Sequence, residues 1–268
     1  MRQGDNTMEN NQRENSPMHQ YLTTMEKYTR ELPFYADDIY SLEDAQELRA
    51  IFDNGKSLEP VFYRPNEQHE EDPTPAGRFR PKNITHMSRQ LIEFQMPKHI
   101  EEKIDKVVKP LYNGDIALCH YNYIEYNLDF SEGKNNPMLP PHIDADENLV
   151  TVNTNFGSNI VWDLIIDGKT YSLAPGQTII FSAVNQIHWR PQRNWKEGEF
   201  LEILSLDYCP VTNYRFTGLT NPIDPVKNGE ARANYSKTLN EREDFQKAWK
   251  QYNEDAIRDG VVPPTTGY

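Results

Sequence analysis

Cysteine is nearly absent from this chain, with two in 268 residues. Cys119 and Cys209 are too few for a disulfide framework or a zinc cluster. Both are therefore expected to be buried thiols in a reducing compartment. Long apolar runs are missing as well. No stretch approaches the roughly 18–20 consecutive apolar residues that cross a bilayer, and no apolar leader core stands near the start. Basic charge is scarce: Lys+Arg number 28 against Asp+Glu 41, a net charge of −13. An acidic surface repels phosphate backbones and anionic lipid, which argues against general nucleic-acid binding and membrane docking. The expectation is a soluble cytoplasmic protein. The chain also lacks G-x-x-x-x-G-K-[ST], G-x-G-x-x-G and a nucleophile elbow, so phosphoryl transfer and serine hydrolysis have no support.

What remains is enough for a core. Hydrophobic residues make up 37% and aromatics 11%. A mean hydropathy of −0.82 and 19 prolines indicate long polar segments between the buried ones. Residues 1–17 contain no Val, Ile, Leu or aromatic residue. They cannot bury enough surface to offset their ordering entropy and read as a disordered leader. Residues 18–111 read as a helical and loop-like support region. Ser41 and Asp44 form a capping-box pattern ahead of LEDAQELRAIF, where Leu42, Ala45, Leu48 and Ile51 recur at helical spacing. Residues 54–83 are loop-like. They are followed by a helix over 98–111 with Ile100, Ile104, Val107, Val108 and Leu111 on one stripe.

The period changes after Asn113-Gly114. DIALCHYNYIEYNLDF, NLVTVNTNF, NIVWDLIID, KTYSLA, QTIIFSAV and EFLEILSLDY are short segments rich in β-branched and aromatic residues. With no helices between them they predict an antiparallel sandwich or barrel over 112–210. DGKTYSLAPGQTIIF reads as a hairpin with a Pro-Gly turn. Residues 211–268 read as a loop and a final helix over 238–257, with Leu239, Phe245, Trp249, Tyr252 and Ile257 as packing positions. The basic cluster GRFRPK, Gly77 to Lys82, is a solvated loop or a site for an anionic group of a substrate.

Chemistry concentrates in His142-Ile143-Asp144, after Pro140-Pro141, and in His188, after QTIIFSAVNQI. Residues i and i+2 of an extended segment project to one side, so the His142 imidazole and Asp144 carboxylate can converge on one ion. A later strand end adds a second imidazole. Two imidazoles and one carboxylate on one face of a metal leave positions open, the arrangement of non-haem Fe(II) oxygenases. Zinc with an open position is the competing metal, although zinc hydrolases commonly use short helical His pairs.

The run PPHIDADENLVTVNTNF … YSLAPGQTIIFSAVNQIHWRP resembles the metal-binding core of the Fe(II)/2-oxoglutarate-dependent dioxygenases, in particular their prolyl-4-hydroxylase-like and phage-type branches. The resemblance implies a double-stranded β-helix (jelly roll, cupin-like) flanked by N-terminal helices. It also implies Fe(II), 2-oxoglutarate and O2 as cofactor and co-substrates. Hydroxylation of an amino-acid, peptidyl or small-metabolite substrate would follow, and Asp144 favours this over halogenation. The family anchors the distal carboxylate of 2-oxoglutarate on an Arg or Lys roughly ten residues after the second His. Here Gly198 stands at that place and EFLEILSLDY has no basic residue. Arg190, Arg193 and Lys196 are the nearest candidates. Arg193 is preferred because Pro191 interrupts continuation of a strand through Arg190. The resemblance also implies an inward tyrosine on the early strand that hydrogen-bonds the co-substrate, Tyr121 or Tyr123. Alternation places Tyr121 and Tyr123 on one face, with His120 and Asn122 on the other. Asn153, Asn155 and Trp189 are candidate substrate contacts, and Trp195 stands near the same mouth. The alternative is a non-catalytic jelly-roll or cupin-like metal- or ligand-binding protein that does not use 2-oxoglutarate.

Overall fold

A computed structural model describes residues 28–59, 61–62, 82–86, 89–130, 136–144, 148–211 and 239–262. The leader at 1–17 and the core of the basic cluster, 77–81, lie outside the described residues.

Two sheets face each other. Strands β5 (Ile116–Tyr126), β6 (Leu139–His142), β7 (Val150–Ser158), β8 (Leu164–Ile166), β9 (Lys169–Tyr171), β10 (Thr178–Phe181), β11 (His188–Arg190) and β12 (Leu201–Pro210) build the core. The larger sheet carries β10-β7-β12-β5 and the smaller β6-β11-β8-β9. The chain thus crosses between sheets at almost every connection, and every core pairing is antiparallel. That order is a double-stranded β-helix. Region 18–111 contributes strands as well as helices: β1 (Phe34–Ala36), β2 (Val61–Phe62), β3 (Lys82–His86) and β4 (Arg89–Glu93) extend the larger sheet to eight strands, with β1 on β10 and β4 on β5.

Helix α1 (Leu42–Lys56) opens with the expected capping box, in which Ser41 accepts from the Asp44 N–H and Asp44 accepts from the Ser41 N–H. Leu48 and Phe52 are buried, whereas Leu42 is exposed, so the apolar stripe starts later than its sequence spacing predicts. Helix α2 (Lys98–Val108), continued by a 3-10 turn over Lys109–Leu111, buries Ile100, Ile104, Val108 and Leu111. Both helices cover the outer face of the larger sheet, in one core with Ile92, Tyr123, Val152, Ile180, Leu204, Leu206 and Tyr208. Gly55 lets α1 approach this close, since a Cβ there would collide with Ile92 Cγ2. An ion-pair cluster fastens the same helix to the sheet. Glu202 of β12 accepts from Arg49 at 2.6 Å and Lys56 at 3.0 Å.

Helix α3 (Glu243–Arg258) covers the outer face of the smaller sheet, where Phe245, Ala248 and Tyr252 pack with Leu239, Ile143, Ile165, Ile187 and Trp189. Ile257, expected to pack, is exposed because it lies on the far side of α3. Between the sheets lie Leu164, Ile166, Ile179, Phe181 and Ala183 at one level. Tyr126, Trp162, Trp195, Leu201 and Ile203 fill another level.

Two further expectations are overturned. The hairpin read into DGKTYSLAPGQTIIF does not form, because β9 pairs with β8 and β10 with β7, in different sheets. The true hairpin is β8–β9, whose two-residue turn Asp167-Gly168 has φ of 49° and 73°, as a right-handed strand twist requires. Pro175-Gly176 instead marks the crossing to the larger sheet, where the Gly176 N–H donates to the Asn155 carbonyl. The cysteines are not free thiols: Cys119 and Cys209 form a disulfide between β5 and β12. Antiparallel pairing brings β12 back along β5, with Cys209 opposite Ala117. This pairing removes the support that free thiols gave to a reducing compartment. No helix among the described residues is long and apolar enough to cross a membrane.

Candidate metal centre

His142 ends β6 and His188 begins β11, and the two are direct partners across the smaller sheet. Asp144 lies two residues beyond His142, where its N–H donates to the Ala183 carbonyl at 2.9 Å. That bond holds the carboxylate beside the imidazoles. Asp144 Oδ1 is 3.4 Å from His142 Nε2 and 3.7 Å from His188 Nε2, and one atom from each residue falls within 4.8 Å of the other two. These separations suit three ligands around one ion at about 2.0–2.2 Å from each donor.

The other ring nitrogens are committed elsewhere. His142 Nδ1 lies 2.7 Å from the Pro140 carbonyl and His188 Nδ1 3.1 Å from the Gln186 carbonyl. A carbonyl only accepts, so each Nδ1 carries the proton and each Nε2 presents a lone pair to the shared space. Electrostatics agree. Burial, then the neighbouring His142, pushes the His188 pKa down to about 4. Burial alone would raise the Asp144 pKa, but any second proton carried by the adjacent imidazoles, His142 first, outweighs it and holds the carboxylate down to about 2. The set is two imidazoles and one carboxylate, the donor chemistry that fits a divalent iron.

Further in from this mouth sits Arg190, two residues along β11 and on the same side of the smaller sheet as His188. It is 3% exposed, and among the described residues no carboxylate lies within ion-pair distance of it. Its guanidinium donates to the Trp162 carbonyl and lies 5.4 Å from the centre of that indole. Burial pushes its pKa down to about 10. A desolvated cation with no carboxylate against it is costly unless an anion arrives to meet it. Arg193, preferred from the sequence, is already engaged. Its Nη2 donates to both Glu199 oxygens at 2.9 and 2.8 Å, closing the 193–199 loop. Lys196 is exposed on that loop.

Tyr121 and Tyr123 do share a face, but it is the helix-covered one. Tyr123 is fully buried, stacked on Phe52 at 4.1 Å, and Tyr121 meets Phe94 edge-on at 5.2 Å. Neither lines the space between the sheets. Trp189 faces α3 in the other outer core rather than the space between the sheets. Asn155 is held by its own fold, donating through Nδ2 to the Leu173 carbonyl at 2.7 Å. Asn153 lies opposite Val152 on β7, facing the inter-sheet space, and its buried Oδ1 has no partner among the described residues. Trp195 packs against Trp162 at 5.0 Å.

The inward residues of β5 were named in the sequence without a role. His120 Nδ1 is 3.2 Å from Asp207 Oδ2, Asn122 Nδ2 is 3.2 Å from His120 Nε2, and Thr151 donates to Asp207 Oδ1 at 2.9 Å. Three neighbouring strands of the larger sheet thus present one connected polar strip at the metal end. Burial raises the Asp207 pKa there; the His120 hydrogen bond opposes this, and the nearby Asp144 charge adds to it. The alternation of HYNY predicts the His120–Asn122 face. Its connection to Asp207 depends on register across 87 residues.

Fold and site together define a class: a double-stranded β-helix whose mouth carries a two-histidine, one-carboxylate constellation. No protein-family profile and no curated protein sequence matches the chain. Solved structures do. The chain is similar to an α-ketoglutarate-dependent epimerase, SnoN from nogalamycin biosynthesis, with 8% identity and TM-score 0.48 over 73% of this chain and 84% of that one. It is also similar to HygX from Streptomyces hygroscopicus, solved with nickel and 2-oxoglutarate bound, with 9% identity and TM-score 0.42 over 72% and 87%. A Pseudomonas putida prolyl-4-hydroxylase matches with 11% identity and TM-score 0.39 over 72% and 98%. The fold assignment itself rests on the strand order.

Proposed function

We propose that this protein is an Fe(II)- and 2-oxoglutarate-dependent oxygenase that hydroxylates a C–H bond of an amino-acid, peptidyl or small-metabolite substrate. The observation that carries the reading is the convergence of His142, Asp144 and His188 at the mouth of the double-stranded β-helix, with both Nδ1 atoms tied back to carbonyls. When bound, Fe(II) and 2-oxoglutarate supply the oxidant, consuming O2 and releasing succinate and CO2 as one oxygen atom enters the substrate.

The chain's residues do the rest. His142, Asp144 and His188 hold the metal on one face and leave the opposite positions open. Arg190 receives the distal carboxylate of 2-oxoglutarate, because it is a buried cation on the metal-facing side of β11 with no carboxylate within ion-pair distance among the described residues. This guanidinium comes from the smaller sheet, whereas β12 presents Ile203 to the Trp162–Trp195 cluster. Asn153 offers a further hydrogen bond between the sheets, and His120, positioned by Asp207 and Asn122, forms the polar wall toward the substrate.

Anaerobic titration with Fe(II) and then 2-oxoglutarate tests the reading through the visible charge-transfer band of the chelate. A band that requires both components supports it. Bound metal without a band identifies a cupin-like metal protein instead, and failure to bind metal removes the reading altogether.

A further inference from the structure

The turn from Ser182 to Gln186, between β10 and β11, reaches two of the three ligands at once. The Ala183 carbonyl accepts the Asp144 N–H and the Gln186 carbonyl accepts the His188 Nδ1–H. Its own geometry is held by the Gln186 side chain, which is 3% exposed. Gln186 Oε1 accepts from the Ser182 N–H at 2.9 Å, closing the turn on itself. Gln186 Nε2 donates to Asp167 Oδ2 at 2.9 Å and to the Leu32 carbonyl at 3.2 Å. Asp167 spends its second oxygen on the Ile187 N–H, at 3.2 Å, one residue before the ligand. Ser182 is fixed in turn by the Leu149 carbonyl at 2.9 Å and the Tyr28 hydroxyl at 2.8 Å.

We infer that Gln186 is a positioning residue of the metal centre, and that through it Asp167 and the segment containing Leu32 set the affinity for the ion. The inference rests on the triad reading given above. The turn itself, the β8–β9 turn and the segment containing Leu32 meet on one primary amide, whose acceptor and both donors are used. An amide is suited to this point. A carboxylate there would oppose Asp167 and the Leu32 carbonyl, and an apolar side chain would leave the Ser182 N–H, Asp167 Oδ2 and the Leu32 carbonyl without this partner. Partners that orient metal-bound histidines commonly change metal affinity by about 10–100-fold when removed. A residue that holds such a partner carries part of that effect.

The test uses the whole protein and Fe(II) alone under anaerobic conditions, measuring the dissociation constant together with the melting temperature of the metal-free form. Gln186→Glu is expected to weaken Fe(II) binding by about 10–100-fold. Asp167→Asn, on a turn that tolerates asparagine, serves if Gln186→Glu does not fold, and is expected to weaken binding about tenfold. The double variant Gln186→Glu/Asp167→Asn restores one complementary donor–acceptor pair and is expected to recover most of the affinity lost in Gln186→Glu. Fe(II) affinity within twofold of wild type in Asp167→Asn and in any folded Gln186→Glu, whatever the melting temperature, would overturn the inference while leaving the triad intact. So would a loss that the double variant does not reverse. Wild-type protein that binds no Fe(II) would instead bring down the triad reading on which it stands.

Discussion

Replacing Arg190 by Met separates stability from function with effects of opposite sign. In the ligand-free protein, burial pushes the Arg190 pKa from 12.5 down to about 10. That corresponds to roughly 3 kcal/mol against the charged form. The hydrogen bond to Trp162 and the contact with its ring return about 2 kcal/mol between them. Met keeps much of the apolar stem and removes the buried charge. The apo protein is therefore expected to be unchanged or stabilised by about 1 kcal/mol, a melting shift of roughly 0 to +4 °C for a chain of this size. The same substitution removes a charge-assisted pair with the distal carboxylate of 2-oxoglutarate, worth about 3 kcal/mol. Its dissociation constant is expected to rise by about two orders of magnitude. Differential scanning fluorimetry without ligands and anaerobic calorimetry with Fe(II) and 2-oxoglutarate read the two effects. A dissociation constant within twofold of wild type, or a large fall in melting temperature with binding intact, would refute the argument and make Arg190 a structural residue.

Asp144→Ala and His188→Ala are each expected to abolish stoichiometric Fe(II) binding while far-ultraviolet circular dichroism stays unchanged; full metal content in either variant would displace the triad. Tyr121→Phe is expected to leave 2-oxoglutarate affinity unchanged, because its ring faces Phe94 under the helices; calorimetry checks this. Acid unfolding should report Glu202. Burial alone would raise its pKa, but Arg49, Tyr123 and Lys56 outweigh this and hold it down to about 2, against 4.5 when unfolded. Its contribution, about 3 kcal/mol at most, is fully present above pH 4.5 and is lost as pH falls toward 2. Denaturant melts of Glu202→Gln across that window should show a flatter pH dependence than wild type.

How much of this was legible in the sequence follows from the range of each signal. The ligand-bearing segments were legible because H-x-D is local and strands of period 2 place i and i+2 together. Helices α1 and α2 were legible from a capping box and an apolar stripe. The tyrosines show where locality ends: alternation puts Tyr121 and Tyr123 on one face, but only the docking of α1 through Phe52 decides which face is outer. Sequence alone favours Arg193 over Arg190 because Pro191 follows Arg190, yet β11 needs only three residues to carry His188 and Arg190. Glu199, six residues from Arg193, then engages the preferred guanidinium. The disulfide and the His120–Asp207 contact depend on the register of β12 against β5, which no local pattern encodes.

The place of β12 has a consequence for how the chain is made. It is the last strand of the barrel to be synthesised, yet it lies in the middle of the larger sheet, paired with β5 on one side and β7 on the other. Until it emerges, β5 and β7 each have an open edge and nothing to join them. Such non-local closure is slow and leaves pairing edges exposed to other chains. His142, Asp144 and His188 all precede β12, so a nascent chain carries every candidate metal ligand before the strand that closes the larger sheet has been made.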